Sequence, residues 1–147
     1  MVISRRRVLF PLIVIGVAAM LLLLVLQPAG EPDIGIVLAT ERPTYATGEV
    51  VGFFMRNDRA DSVELPSTAP WNIQRRVDGE WKRVEVHVSA DVIVPVAPGE
   101  VVSWSWKAET QTEDPELVPV SPGQYRIVLS VRLGDQLVEV VAGFSLS

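Results

Sequence analysis

Beyond residue 33 the chain is a succession of short runs in which apolar and polar residues alternate, separated by turn-forming residues. Alternation with a period of two is typical of half-buried strands, because successive side chains point to opposite faces of a sheet. The clearest runs are residues 100–108, 124–133 and 137–147. Their spacing predicts an all-β fold, an immunoglobulin-like Greek-key β-sandwich of about seven to nine antiparallel strands.

The strongest hairpin signal in the chain is Asp78-Gly79, which separates two alternating runs. Glycine tolerates the positive φ that tight primed turns require. We therefore expect a strand over residues 71–77 and a return strand over residues 80–88.

A different pattern occupies the N-terminal residues, where Val8 to Leu26 contains no charged side chain. As a helix this run would extend about 28 Å, close to the hydrocarbon thickness of a bilayer. Arg5, Arg6 and Arg7 precede it, and the positive-inside rule keeps such a basic stub (residues 1–7) in the cytoplasm. We expect residues 8–26 to be an uncleaved transmembrane anchor; a cleaved signal peptide is the alternative, and both place the following domain outside the cytoplasm.

Charge is distributed unevenly between the anchor and the remainder of the chain. Residues 27–33 are rich in Pro and Gly and are interpreted as a linker to a domain at residues 34–147. Ten of the 13 basic residues and all 18 acidic residues follow Leu26, so this part carries a net charge of −8. Nucleic acids and anionic lipid headgroups demand basic partners, which argues against both. The chain has no cysteine, so an exported domain must be stabilised by its core without disulfides.

Residues 121–127, with the sequence SPGQYRI, place a tyrosine directly behind a Pro-Gly turn. In Greek-key sandwiches a tyrosine near the start of the sixth strand bonds the backbone a few residues upstream and stabilises the crossover between sheets. We therefore interpret Tyr125 as a tyrosine corner whose turn is made by Pro122 and Gly123. The role of these three residues is structural.

Several turn and core segments follow one another in a characteristic order: Tyr45–Val50, Asn57, Gly79–Val84, Ala97–Glu100, Trp104–Trp106 and Pro122–Ile127. With this order the chain resembles the bacterial immunoglobulin-like domains of exported proteins. It is also similar, more loosely, to the intracellular proteinase inhibitor family of bacilli. The resemblance implies the fold, and the export segment departs from an inhibitor that works in the cytosol.

The residues offer little catalytic or metal-binding chemistry. His87 is the only histidine, and a metal site needs several convergent ligands. The acidic residues of the 109–116 loop lack the EF-hand spacing and its glycine. No Gly-x-Ser-x-Gly motif occurs, and no serine has an evident base. We expect no cofactor, no metal and no enzymatic activity.

The four tryptophans are the most informative side chains that remain. Trp104 and Trp106 share the phase of Val102, which predicts that both pack in the core. Trp71 follows Pro70, and the turn there suggests a partly exposed aromatic ring that could contact a partner, since tryptophan is enriched at binding hot spots.

These features predict a non-catalytic, membrane-anchored extracytoplasmic module for protein binding or cell-surface structure, with an unknown protein or cell-surface partner. Two alternatives remain open. An exported inhibitor would present a proline-stiffened loop at residues 110–120, with Leu117 or Val118 entering a protease pocket. A surface-filament subunit would also join an apolar N-terminal helix to a β domain, although Val8, Leu9 and Phe10 replace the usual small residue and glutamate.

Overall fold

The computed structural model describes residues 33–85, 87–110 and 114–147, which belong to one compact unit, Asp33–Ser147. The predicted basic stub, the transmembrane segment at residues 8–26 and nearly all of the predicted linker lie outside the described residues. Within the described ranges, no helix has the length and apolar character needed to span a bilayer.

Ten strands occur in the described part of the chain, two of them 11 residues long and one only two residues long. They are β1 (Ile36–Thr40), β2 (Thr44–Tyr45), β3 (Val50–Asn57), β4 (Val63–Leu65), β5 (Trp71–Val77), β6 (Glu80–Arg83), β7 (Val94–Val96), β8 (Val101–Lys107), β9 (Gly123–Leu133) and β10 (Gln136–Leu146).

The strands form two sheets. The first sheet has the order β1-β3-β8, and all its neighbours are antiparallel. The second sheet contains β2, β10 and β9, and the far edge of β9 pairs with β4 at one end and β5 at the other. Strand β7 extends this sheet beside β4, and β6 extends it beside β5. The all-β sandwich is as predicted.

The order of strands is that of an immunoglobulin-like sandwich. In that fold the first, second, fourth and fifth strands share one sheet, while the third, sixth and seventh strands share the other. Here β1, β3 and β8 take the places of the first, second and fifth strands, and β4/β5, β9 and β10 take those of the third, sixth and seventh. The short strands at the fourth place, β6 and β7, pair within the second sheet instead. The count exceeds the expected seven to nine because the short strands β2, β4 and β7 are separate elements. The expectation that every pair is antiparallel is wrong for β2, which runs parallel to β10 because the chain joins that edge after leaving the first sheet.

The core lies between the two sheets and takes alternate residues from each strand. Phe53 and Met55 of β3 face Ile73, Ile127 and Leu129 of the second sheet, and all five are almost completely buried. Full burial of one such side chain stabilises the fold by about 1.5–3 kcal/mol. The core forms without any disulfide.

The hairpin between β5 and β6 closes as the sequence predicts. Asp78 and Gly79 have φ values of 52° and 83°, the combination that a type I′ turn requires. The return strand is shorter than predicted, however, since β6 ends at Arg83 and does not continue to Val88. Val84 and Glu85 follow β6, and both are buried.

Candidate protein-binding face

The outer face of the second sheet carries an unusual concentration of arginines. On β9 the side chains of Tyr125 and Ile127 belong to the core, so Arg126 between them faces outward, as does Arg132 further along. Gln74 of β5 lies opposite Arg126, and the same face continues through the neighbours of Gln74 on β5 and β6. We call this surface the arginine face; it consists of Arg76, Trp81, Arg83, Arg126 and Arg132.

At one end of the arginine face, the ring of Trp81 contacts two of the arginines. The guanidinium carbon of Arg126 lies 4.5 Å from the centre of the Trp81 ring, and that of Arg76 lies 6.0 Å away. Both distances permit a cation–π interaction, in which the ring holds a cation without neutralising it. Arg126 is fixed further by Nε, which donates to Oε1 of Gln74 at 2.7 Å. Two guanidinium groups are therefore positioned on one aromatic ring while retaining their charge.

The arginines of this face form no ion pairs in the described part of the chain. Among residues 33–85, 87–110 and 114–147, none of the four forms an ion pair; the cationic groups in ion pairs are Arg42, Arg56, Lys82, Lys107 and, when it is protonated, His87. Glu64 lies opposite Arg132 and Glu139 lies opposite Ser130, away from Trp81. The arginine face is thus a basic surface in a part of the chain whose net charge is −8.

Apolar side chains accompany the arginines. Val128 faces outward on β9 yet is only 3% exposed, and it lies between Asn72 of β5 and Val141 of β10. Leu137 and Val141 of β10 remain 60% and 42% exposed. A shallow recess of about 360 Å³ is lined by Arg83, Asn72, Leu137 and other residues of this region. The face therefore offers a mixture of charged, aromatic and aliphatic contacts.

His87 lies beside this face and has both ring nitrogens occupied. Nδ1 is 2.8 Å from Oε2 of Glu85, and Nε2 is 2.8 Å from the carbonyl oxygen of Ala69. The imidazole stacks on the indole of Trp71, with ring centres 3.9 Å apart and planes at 21°. Both nitrogens thus contact protein oxygens, and the histidine holds the segment after β6 against the segment before β5.

Glu85 explains why the hairpin stops at Arg83. Val84 still donates its N–H to the carbonyl oxygen of Ile73 at 3.1 Å, but the N–H of Ile73 donates to Oε1 of Glu85 at 3.2 Å. A carboxylate thus replaces the next backbone acceptor of the ladder. Glu85 is 2% exposed, and its other oxygen lies 2.8 Å from His87, so the buried carboxyl group has a hydrogen-bond partner at each oxygen.

The structure corrects the expectation that Trp71 is exposed. Its side chain is 8% exposed, because His87 covers one face of the indole and Phe53 meets it edge-on, with ring centres 5.1 Å apart. Pro70 lies in the turn before β5, but Trp71 is already one of the β5 residues whose side chains point into the core. A partner could reach only the rim of this residue, where it lines the recess.

Trp104 and Trp106 lie on the core side of β8, and they differ in burial. Trp106 is 4% exposed, whereas Trp104 is half-buried, stacks on Phe53 and donates from Nε1 to the carbonyl oxygen of Thr68 at 2.9 Å. Both side chains have packing roles in the structure.

Leu117 and Val118 do not project from the domain as an inhibitory loop would require. Both are half-buried, Val118 packs against the core, and its N–H donates to the carbonyl oxygen of Arg83 at 3.1 Å. Entry of Leu117 or Val118 into a protease pocket stays a prediction of the inhibitor alternative, and it would require Val118 to leave its bond to Arg83. Residues 111–113 of the same loop lie outside the described residues.

Tyr125 has the geometry expected of a tyrosine corner. Its hydroxyl donates to the carbonyl oxygen of Ser121 at 2.6 Å and accepts the N–H of the same residue at 3.0 Å. Burial raises the pKa of this hydroxyl, and the bond to the Ser121 backbone opposes that rise. Pro122 and Gly123 make the intervening turn, and the ring stacks on Phe144 at 5.4 Å.

A second tyrosine makes a similar pair of bonds that sequence reasoning missed. The Tyr45 hydroxyl accepts the N–H of Arg42 at 2.9 Å and donates to the carbonyl oxygen of Gly52 at 3.2 Å. Its signal in the sequence is a proline two residues before the tyrosine, Pro43, comparable to the turn before Tyr125. Tyr45 ties the edge of the second sheet to β3 of the first.

No protein-family model and no curated protein matches the chain. Among solved structures it is similar to an alkylpurine DNA glycosylase of Pseudomonas fluorescens bound to DNA with an abasic-site analogue (12% identity, TM-score 0.42). That match covers 77% of this chain and 30% of the glycosylase, so the chain spans less than a third of that protein.

Two further similarities involve whole small domains. One is the CARDB domain of a Pyrococcus furiosus protein in complex with di-metal ions (17% identity, TM-score 0.35), covering 76% of this chain and 90% of that one. The other is a PapD-like domain of a human protein (13% identity, TM-score 0.35), covering 83% and 92%. All three similarities are weak, and the strand order of this chain defines its fold. Within the described residues, no group of His, Cys, Asp and Glu side chains is arranged to hold a metal ion.

Proposed function

We propose that this protein is a non-catalytic, membrane-anchored extracytoplasmic module that binds another protein through the arginine face. The observation that carries the proposal is the pair of guanidinium groups, those of Arg76 and Arg126, at the ring of Trp81; neither they nor Arg83 and Arg132 on the same face form an ion pair within the described residues. Arginine and tryptophan are the residues most enriched at the energetic centres of protein interfaces. Exposed Leu137 and Val141 supply apolar area beside them.

A non-catalytic role is supported by the environment of the histidine. Catalysis by general acid or base requires a group that can exchange a proton with a bound substrate. Both nitrogens of His87 are committed to Glu85 and Ala69, and the imidazole is held against Trp71. A scaffold role for His87 accounts for all three contacts.

The location rests on the N-terminal sequence. Val8 to Leu26 is long enough to span a bilayer, and Arg5 to Arg7 favour a cytoplasmic N-terminus. The anchor would hold the domain near the outer membrane surface, where a partner on the same membrane is met at high effective concentration. The inhibitor alternative gains no support, since Val118 is packed against the core.

Site-specific photocrosslinking in intact cells tests the proposed surface. A photoreactive amino acid replaces Gln124, an exposed residue of β9 on the same side as Arg126, in the full-length chain. The matched control carries it at Ser103, exposed on β8 of the first sheet. We expect a discrete protein adduct from position 124 and none from position 103. Adducts from position 103 alone, or from neither, would contradict the proposal.

A further inference from the structure

We infer, on the basis of the proposed function, that the occupant of the arginine face is an extended acidic segment of the partner protein. Its carboxylates would be bound by Arg76, Arg83 and Arg126 around the indole of Trp81. This assigns a chemical class to the ligand and a role to each of the four side chains.

The charge of the face argues for carboxylates. Arg76 and Arg126 approach the same ring, so two positive charges are brought together, and like charges in proximity repel. No carboxylate within the described residues forms an ion pair with either of them. A guanidinium group matches a carboxylate with two parallel hydrogen bonds, and such charge-assisted bonds are about twice as strong as neutral ones. An acidic ligand would reduce the repulsion between the two guanidinium groups, and it would also accept hydrogen bonds from their N–H groups.

The spacing of the face argues for an extended segment. Arg126 lies directly opposite Gln74, and Arg76 is two residues further along β5 on the same side. Diagonal neighbours of this kind are about 7–8 Å apart. Side chains i and i+2 of an extended chain lie on one face about 7 Å apart. A segment with acidic residues at alternate positions can therefore reach both arginines at once.

Arg83 extends this arrangement across the sheet. It lies opposite Gln74 on the side away from Arg126, so the two arginines flank that glutamine across two strand spacings of about 4.8 Å each. Arg83 is exposed and lines the recess beside Leu137. A third carboxylate or the C-terminus of the segment would meet Arg83 there, while apolar side chains meet Leu137.

Fluorescence anisotropy with the full-length chain in neutral phosphatidylcholine nanodiscs tests this inference. The probe is a labelled peptide of alternating Glu and Ser, and the control peptide has Lys in place of Glu. We expect binding of the Glu peptide alone, weakening as salt is added, because its main contacts are exposed charges. Binding of both peptides, or of neither, would overturn the inference.

Two charge-matched variants assign the binding to the face. Arg76→Gln combined with Arg126→Gln removes two positive charges beside Trp81, and Arg42→Gln combined with Lys107→Gln removes two positive charges elsewhere. We expect the first to weaken peptide binding by about tenfold or more and the second to change it by less than about twofold. Equal weakening would show that net charge, and not this face, is recognised.

Two further outcomes separate this inference from the proposed function. If position 124 still crosslinks to a protein but the Glu peptide does not bind, the acidic chemistry is wrong and the binding face stands. If vesicles containing phosphatidylglycerol bind more tightly than the peptide, with the same dependence on Arg76 and Arg126, the face recognises lipid headgroups and the inference is overturned. Loss of both the crosslink and the peptide binding would remove the proposed function as well.

Discussion

At the scale of single residues, two tyrosines stabilise the sandwich through hydrogen bonds between their hydroxyl groups and the backbone. Tyr125 uses one hydroxyl as donor and acceptor for the backbone of Ser121. Tyr45 does the same for Arg42 and Gly52, which belong to different segments. Because both hydroxyls are buried, their removal leaves backbone groups without an equivalent partner.

Tyr125→Phe tests this role while keeping the ring. The substitution leaves the N–H and carbonyl oxygen of Ser121 without the hydroxyl, which should lower the free energy of unfolding by about 1–3 kcal/mol. Stacking on Phe144 is retained, so the fold should persist. Chemical denaturation followed by tryptophan fluorescence measures the change. A denaturation midpoint equal to that of the natural chain would show that the hydroxyl contributes nothing.

At the scale of elements, the end of the β5–β6 hairpin depends on a buried carboxylate. Glu85 accepts the N–H of Ile73 and contacts His87, which in turn contacts Ala69 and stacks on Trp71. One side chain therefore ends a strand and attaches the following segment to the segment before β5.

Glu85→Ala should destabilise the domain more than Glu85→Gln. Alanine removes the acceptor of the Ile73 N–H and a partner of His87, at a cost of about 1–3 kcal/mol for each buried polar group left unpaired. Glutamine retains an oxygen for Ile73, so its effect should be smaller. Thermal and urea unfolding of the two variants would compare them. Equal destabilisation would mean that the amide oxygen cannot replace the carboxylate at Ile73.

Strand β8 is an edge of the first sheet, and its two sets of amides should differ in protection. The N–H of Asn57 donates to Glu100, and the N–H of Ala108 donates to Glu49. With this register, the backbone N–H groups of Val102, Trp104 and Trp106 bond to β3. Those of the intervening β8 residues, beginning with Val101, point away from β3. Among the described residues, no backbone oxygen accepts the outward-facing N–H groups of Val101, Ser103 and Ser105.

Hydrogen exchange measured by NMR tests the register of this edge. Because amides bonded within the sheet open only with the structure, Val102 and Trp104 should exchange slowly, whereas Ser103 and Ser105 should exchange rapidly. Slow exchange at Ser103 and Ser105 would mean that another strand covers the edge in solution.

The elements also show how far sequence reasoning reaches. Strict alternation predicted the inward residues of β8, β9 and β10, and Asp78-Gly79 predicted its hairpin, because both signals depend on local geometry alone. The return strand was predicted too long because Glu85 was treated as an ordinary polar position; its burial depends on His87 and Ile73. Trp71 was expected at the surface for the same reason, since its cover comes from a distant segment.

The arginine face was not predicted, although its signal is present in the sequence. Arg76, Arg83, Arg126 and Arg132 occupy the polar phase of predicted strands. The proximity of Arg76, Arg83 and Arg126 depends on the pairing of β5 with both β6 and β9, which joins segments far apart in the chain. The alternation of polar and apolar residues predicts which side of the sheet a side chain lies on, but it does not predict which strands are neighbours.

At the scale of the whole molecule, the arginine face has the opposite charge to the part of the chain that contains it. The part after Leu26 is strongly acidic, yet one sheet presents a basic face. Such an arrangement favours one orientation of approach by an acidic partner and repels it elsewhere, which raises specificity more than affinity.

The orientation of the chain in the membrane is tested by a fusion after Ser147. Arg5 to Arg7 should hold the N-terminus in the cytoplasm, so a reporter that is active only in the cytosol should remain inactive at the C-terminus. A fusion of the same reporter to the N-terminus is the control and should be active. Strong activity of the C-terminal fusion would contradict the proposed location.

The most direct test of the central claim is the crosslinking yield at position 124 when the arginine face is altered in the full-length chain. Arg76→Gln with Arg126→Gln should reduce the yield of the protein adduct by about tenfold, because the charge-assisted contacts of the face are lost. Arg42→Gln with Lys107→Gln, which changes the net charge equally, should leave the yield unchanged. An undiminished adduct in the first variant would contradict the assignment of protein binding to the arginine face.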